Sequence, residues 1–311
     1  MLQKIRHSPA LPWLILALLV MIWGSSFILI KRGLEAYSSL QVGGLRVFVS
    51  FVVLLPMAVL HINKVAARKL KYIAIIGLIG TGIPAFLFAR AQTHIDSSLA
   101  GILNSLTPLF TLIVGLLFFK QKSNWISMLG VLLGLLGAVG LIYVTSNGSF
   151  EFHFSFAVYV IIATILYAIQ SNMIKYYLND VNAISIASLG FFFIGIPVGI
   201  YIFFFSDFIH ILLNHPKGGS SFGYVVILGV FPSAVAIIFY NKLVQITNAV
   251  FASSVTYFVP VLALAWGTFD GERFPASAFV FIALILLGVL LVNRSRKAKN
   301  LIKKSLKRFG S

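Results

Sequence analysis

The stretch from Ser97 to Phe119, SSLAGILNSLTPLFTLIVGLLFF, occurs twice in outline. About 150 residues later Ala249 to Phe269 reads AVFASSVTYFVPVLALAWGTF, with Ala252 over Ala100, Pro260 over Pro108 and Gly267 over Gly115. The register runs upstream without a gap, GVFPSAVAIIFY from Gly229 lying over GLIGTGIPAFLF from Gly77. With a few residues of insertion it reaches the start of each half, where WGSSFILIK ending at Lys31 matches YAIQSNMIK ending at Lys175. An internal repeat of this kind fixes the architecture before any local pattern does.

Composition sets the medium in which the two units fold. Hydrophobic residues make up 59% of the chain and charged residues 10%, and mean hydropathy is +1.00, whereas soluble domains are about 25% charged. The apolar runs are about 20 residues long, enough for a helix to cross a hydrocarbon core of roughly 30 Å. An all-α integral membrane protein with ten spans is expected. They are Leu11–Ile30, Leu40–Leu60, Tyr72–Ala91, Ser97–Phe119, Trp125–Val144, Phe156–Tyr177, Ala183–Phe205, Tyr224–Leu243, Ala249–Phe269 and Pro275–Val292. The first run follows Lys4 and Arg6, but it exceeds the 7–15 residues of a signal-peptide core and carries part of the repeat, so it counts as a span. The chain has no cysteine, which excludes disulfides and thiolate metal sites.

Lysine and arginine give the orientation. With the amino terminus cytoplasmic, eighteen of the 24 basic residues fall on the inner side, eight of them in the tail, as the positive-inside rule requires. Both termini are then cytoplasmic. Five spans per half is an odd number, so residues 147–293 insert upside down relative to residues 1–146, with 294–311 left as a basic tail. Inverted repeats of this kind belong to transporters in which one half rocks against the other around a central site.

Ten spans in two five-helix units, WGSSF in the first span, the run Ser97–Pro108 and the Gly271–Arg273 GER turn together resemble the drug/metabolite transporter superfamily, and within it the EamA-type permeases. The resemblance covers nearly the whole chain, although the first-half turn reads KQK at Lys120–Lys122. It implies a bacterial inner-membrane carrier without a cofactor. Members of the family export amino acids and other metabolites or import nucleoside-like compounds.

The polar residues within the spans delimit a site. In the fourth span Ser97, Gly101, Asn104, Thr107, Pro108 and Thr111 recur at three- and four-residue steps, as do Ser253, Thr256, Tyr257 and Pro260 in the ninth, and such spacing puts each set on one face. Ser25 and Ser26 in the first span, Thr81 in the third, Thr164, Tyr167, Gln170 and Ser171 in the sixth, and Tyr240 and Asn241 in the eighth add to them. A polar stripe facing lipid lacks hydrogen-bond partners, so these face protein or water. Two roles are open to each residue: interhelical hydrogen bonding or contact with cargo. The candidate substrate residues are Trp23, Ser26, Phe88, Asn104, Thr107, Tyr167, Gln170, Tyr240, Thr256 and Tyr257. Of these, Trp23, Phe88 and Tyr257 are also able to stack on a planar compound. Pro84, Pro108, Pro232 and Pro260 each remove a helical hydrogen bond and are candidate hinges.

The charged residues narrow the chemistry. All seven carboxylates lie in loops or at span ends, so a buried cation would meet no counter-charge, and a neutral, zwitterionic or anionic substrate is expected. Arg46 is the deepest formal charge; its insertion costs about 2.5–3.5 kcal/mol, and it is open to service as an anion contact or as a partner to backbone carbonyls. Trp13, Trp125 and Tyr143 read as interfacial anchors. Segment 206–223 is the longest loop, and its FIHILL suits the outer interface. Leu301, Ile302, Leu306 and Phe309 among Lys303, Lys304, Lys307 and Arg308 make the tail a cationic amphipathic segment for an anionic leaflet rather than for nucleic acid. The glycines of the fifth span (Gly130, Gly134, Gly137, Gly140) and Gly288 of the tenth suit close packing of the two repeat ends, or a dimer contact; a monomer is the expectation. No carboxylate pair, histidine cluster or phosphate-binding loop lies within a span, so neither catalysis nor a metal is expected. The function expected is export of an amino acid or a related neutral or zwitterionic metabolite. Lipid flipping and uptake of a nucleoside-like or anionic compound are the rivals.

Overall fold

A computed structural model of the chain describes residues 10–95, 97–121, 123–145, 154–259, 261–262 and 275–292. The basic tail, the GER turn and Pro260 lie outside the described residues. Among those described, every regular element is helical. Six stretches are long and apolar enough to cross a membrane: Leu11–Gly33, Ser39–Lys64, Ala67–Ala91, Ser155–Tyr177, Ala183–Phe204 and Gly218–Ile246. Four shorter apolar helices accompany them.

Several of these stretches are interrupted. The first divides at Ser25 into α1 (Leu11–Gly24) and α2 (Ser26–Gly33). After the continuous α3 (Ser39–His61), the third comprises α4 (Ala67–Gly77), a π-helical segment Leu78–Gly82 and α5 (Ile83–Ala91). Next come α6 (Ser97–Asn104) and α7 (Thr107–Phe118), separated by residues 105–106, and then α8 (Trp125–Thr145). The second half opens with two unbroken helices, α9 (Phe154–Tyr177) and α10 (Ala183–Phe204), and a short α11 (Phe208–Asn214). There follow α12 (Gly218–Leu228), a π-helical segment Gly229–Val235 and α13 (Ala236–Ile246). Then α14 (Ala249–Ser253) passes into a 3-10 stretch, Ser254–Phe258, and α15 (Ser277–Val292) is the last helix described. The interruptions obey the sequence register: the π segments begin at Leu78 and at Gly229, next to and at the aligned glycines, and α6 and α14 start at the aligned residues Ser97 and Ala249.

Packing joins equivalent helices of the two halves. Between α3 and α10, Gly44 lies against Ile202, Phe48 against Gly199 and Phe51 against Gly195, so the two run antiparallel. Phe48 also meets Phe203 edge-on at 5.2 Å, and Phe51 meets Phe192 at 6.2 Å. The ends α8 and α15 are antiparallel as well: a Cβ at Gly288 would sit 2.5 Å from the Gly130 carbonyl oxygen, and one at Gly137 2.8 Å from Ile285. Lipid tails are as apolar as leucine, so helices gain little from hydrophobic burial against each other, and close backbone approach supplies the dispersion energy instead. The outward faces stay apolar, with Leu14, Leu117, Phe118 and Leu136 exposed.

Short polar devices close the ends. Ser38 and Gln41 form a reciprocal capping box at the start of α3, Asn182 accepts from the Ile184 N–H, and Asn248 from that of Phe251. At one end of the bundle Glu35 takes Arg32 at 2.7 Å and Lys217 at 2.6 Å, while Tyr37 donates to the Gly218 carbonyl at 2.9 Å. At the other, Lys69 pairs with Asp180 and Lys175 donates to the Gln245 carbonyl at 2.7 Å. The expected long loop at 206–223 is largely helical: FIHILL forms most of α11, and GGSS opens α12, its Ser221 hydroxyl donating to the Arg32 carbonyl at 2.8 Å. Phe208 is buried beside Tyr37 and Phe222 rather than lying on the interface. Trp125 and Tyr143 are exposed, as anchors would be, but Trp13 packs edge-on against Phe251 at 5.4 Å.

Candidate functional site

The helix interruptions converge on one cavity. Its volume is about 70 Å³, space for about two or three waters at roughly 30 Å³ each. The break in the first stretch contributes Trp23 and Ser26, and the first π segment contributes Gly80 and Thr81. The gap between α6 and α7 brings Asn104 and Thr107. The second π segment adds Pro232 and Ser233, and the turn of α14 into the 3-10 stretch adds Ser253, Val255 and Thr256. Backbone that departs from the α-helix at membrane depth is tolerated where protein or a water-filled space satisfies it, and π bulges recur at functional positions.

Two aromatic pairs wall the cavity. Trp23 and Tyr240 face each other with ring centres 5.3 Å apart, the Trp23 indole N–H donating to the Pro232 carbonyl at 2.8 Å and the Tyr240 hydroxyl meeting Ser171 at 2.5 Å. Phe88 and Tyr167 stack at 6.0 Å. The polar groups between them are unequally engaged. Ser26, Thr81, Thr107 and Thr256 each donate to a backbone carbonyl three or four residues earlier, across the helix interruption. Gln170 is buried with its Nε2 unpartnered, wedged where Gly80 has no side chain, a Cβ there falling 2.2 Å from the glutamine Cδ.

Arg46 projects from α3 into this space. Its Nε donates to the Ser233 hydroxyl at 2.6 Å, and that hydroxyl in turn donates to the Leu228 carbonyl at 3.1 Å. Among the described residues its guanidinium bonds no backbone carbonyl. Ion pairs among the described residues lie at the helix ends, and none reaches Arg46.

Nine of the ten candidate substrate residues line the cavity, namely Trp23, Ser26, Phe88, Asn104, Thr107, Tyr167, Gln170, Tyr240 and Thr256, and Arg46 joins them. Tyr257 does not. It is fully buried, donates to the Val131 carbonyl at 2.9 Å, and packs against Gly134 of α8. The 3-10 stretch advances by 120° per residue instead of 100°, which keeps Ser253 and Thr256 in line and turns Tyr257 away. Of the candidate hinges, Pro232 lies inside the second π segment, Pro84 and Pro108 occupy the first turns of α5 and α7, and Pro260 lies outside the described residues. Ser233 was not among the candidates, although it falls over Thr81 in the repeat, a hydroxyl aligned with a hydroxyl. Away from the cavity, Thr111 and Thr164 bond their own helices, Asn172 donates to the Thr111 and Ala168 carbonyls, and Asn241 is buried with its amide unpartnered. No group of histidines and carboxylates able to hold a metal occurs among the described residues.

The EamA-like transporter family matches the chain over residues 11–143 and 155–294. The chain belongs to that family. It is similar to the uncharacterized inner membrane transporter YedA of Escherichia coli strain K12, with 26% identity over 88% of each chain. It is also 25% identical to a probable terminal-alkyne amino-acid exporter of Streptantibioticus cattleyicolor, over 90% of this chain and 92% of that one. A protein of known crystal structure shares the EamA chain's fold with a TM-score of 0.70 at 17% identity, covering 94% of this chain and 99% of the other. The protein is thus a multi-pass membrane protein of a transporter family.

Proposed function

We propose that this EamA protein is a secondary transporter of the bacterial cytoplasmic membrane that exports an amino acid or a related neutral or zwitterionic metabolite by alternating access. The observation that carries the reading is the cavity: it lies where the backbone of both halves is interrupted, the two π segments matching each other in the repeat and the gap between α6 and α7 matching the 3-10 stretch after α14. Discontinuous helices around a central site are the usual construction of such carriers. The export assignment draws on the similar exporter of Streptantibioticus cattleyicolor, and the membrane assignment on YedA.

Ten spans in two inverted repeats agree with the helix directions. The antiparallel pairs α3/α10 and α8/α15 join corresponding spans. The third stretch runs antiparallel to α9, through Gly80 with Gln170 and His94 with Phe156. Its counterpart under inversion, the first stretch against α12 and α13, also runs antiparallel, through Trp23 with Tyr240 and Gly33 with Val225. The lysine and arginine bias puts both termini in the cytoplasm. Rocking would be absorbed at the junctions that hold Pro84, Pro108 and Pro232, and the small-residue faces of α8 and α15 are used against each other, which favours a monomer. The cationic tail would rest on anionic lipid.

Counterflow of radiolabelled amino acids in proteoliposomes tests this. The protein is expected to exchange a small polar solute, with Asn104→Ala lowering the rate at least about tenfold at equal folded protein. Passage of labelled lipid alone would make it a flippase instead.

A further inference from the structure

Resting on the carrier reading above, we infer that Arg46 is the residue that recognises cargo, and that it does so by binding a carboxylate, so that an α-amino acid lies with its acid group toward α3 and its amino group toward α6, α7 and the 3-10 stretch after α14.

The argument begins with unspent donors. A guanidinium carries five N–H groups in a planar fork. Arg46 commits Nε to Ser233, and no other hydrogen bond to its side chain forms among the described residues. Its two terminal nitrogens therefore present the paired donors that match a carboxylate bidentately. Gln170 brings a second donor: its Nε2 is unpartnered on a side chain 1% exposed that lines the same cavity. Leaving a buried donor unmet costs about 1–3 kcal/mol, more when the group is charged. The Gln170 donor carries this penalty at rest, and the Arg46 fork opens on the same cavity, where a carboxylate can meet both.

Charge points the same way. Arg46 lines the cavity without a carboxylate partner, and no acidic side chain is among the lining residues. An uncompensated cation in a low-dielectric site is strongly disfavoured, and an incoming carboxylate neutralises it, whereas an incoming amine or amide cation adds to the repulsion.

A second set of lining residues is of opposite character. The hydroxyl protons of Thr107, Ser253 and Thr256 go to backbone carbonyls, so what these residues offer cargo is oxygen lone pairs, joined by the Asn104 side-chain oxygen, which accepts only a 3.3 Å bond from Thr107. Donors on α3 and α9, together with acceptors on α6, α7, α14 and the 3-10 stretch after it, make the lining bipolar and complementary to a zwitterion. The Trp23–Tyr240 and Phe88–Tyr167 pairs leave an apolar boundary for a side chain. A structural arginine would need its fork filled by backbone carbonyls or an acid; Arg46 has neither.

The test uses matched pairs differing only in the acid group: L-alanine and L-alaninamide, L-leucine and L-leucinamide, L-phenylalanine and L-phenylalaninamide, lactate and lactamide. Thermal protection of the purified protein and inhibition of counterflow are read for each. The acid of at least one pair is expected to bind at least about tenfold more tightly than its amide. Arg46→Gln should bring that ratio to within about twofold while Arg46→Lys keeps part of it, because a point charge replaces a fork. Should Arg46→Gln lower the folded yield, Gln170→Leu carries the test, with the ratio expected to fall about threefold. Amides that bind as well as acids, or a ratio unchanged in both variants, would overturn the inference and leave the carrier standing. If no member of any pair protects the protein or exchanges, the carrier reading itself fails, and this inference with it.

Discussion

Two regions of the molecule are built from the same small and polar residues and behave in opposite ways. Along the α8/α15 seam the chain carries glycines so that two helices touch: Gly130 and Gly134 meet Gly288 backbone to backbone, and Tyr257 fills the groove beside Gly134 with its hydroxyl bonded to Val131. Around the cavity the small residues open space. Gly80 makes room for Gln170, and the breaks at Ser25, at residues 105–106 and at the two π segments turn Ser26, Thr107, Thr81 and Ser233 toward a void. The difference lies in the backbone. Where the α-helix is continuous a small residue is a contact; where it is interrupted, the neighbouring side chains rotate inward and the helix can bend.

That contrast is open to attack. The largest effect is expected in the seam, where Gly288→Leu places a side chain against the Gly130 carbonyl and the Gly134 amide, both backbone and unable to yield. Overpacking costs about 1–3 kcal/mol and occasionally more, so folded yield on size-exclusion in detergent should collapse, and transport with it. Next comes the cavity. Asn104→Ala should lower counterflow at least about tenfold and move the unfolding temperature little, the reverse of the seam. The two tyrosines sharpen the comparison: Tyr257→Phe should destabilise by about 1 kcal/mol with transport per folded molecule unchanged, whereas Tyr240→Phe, which removes from the cavity-lining ring the hydroxyl that meets Ser171, should slow transport. Equal behaviour of the two variants would erase the distinction between seam and cavity.

The smallest effect belongs to the ends. The Glu35 carboxyl is held below its usual range by hydrogen bonds from Lys217 and Arg32, and that of Asp180 by Lys69. A lowered carboxylate pKa contributes stability above the ordinary value and loses it as pH falls through the lowered one. Thermal stability should therefore be level in this respect from pH 7 to about 5 and decline below about 4, with Glu35→Gln reducing the decline. A decline unaltered by that variant would remove Glu35 from the account.

Much of this was legible in the sequence, and the failures share a cause. The aligned Ala100 and Ala252, and Gly77 and Gly229, marked equivalent positions, and the three- and four-residue spacing of Asn104, Thr107, Ser253 and Thr256 located the cavity's polar wall. Helical periodicity assumes constant winding. The 3-10 stretch violated it and turned Tyr257 into the seam. The π segment violated it in the other direction, bringing Ser233 to Arg46. The helical nature of GGSS at the start of α12 was hidden because its support, the bonds from Ser221 to Arg32 and from Tyr37 to Gly218, comes from the distant first stretch. Pro56 and Pro197 lie within α3 and α10 without interrupting them, so proline alone did not forecast where the helices break.

The central claim is that one cavity is reached in turn from both sides of the membrane. Because the chain has no native cysteine, a single Ser26→Cys, nearly isosteric and on the cavity wall, can report this with a membrane-impermeant thiol reagent. In right-side-out and in inverted vesicles under exchange conditions, the account expects labelling from either face. Labelling from one face alone, or from neither, would contradict it.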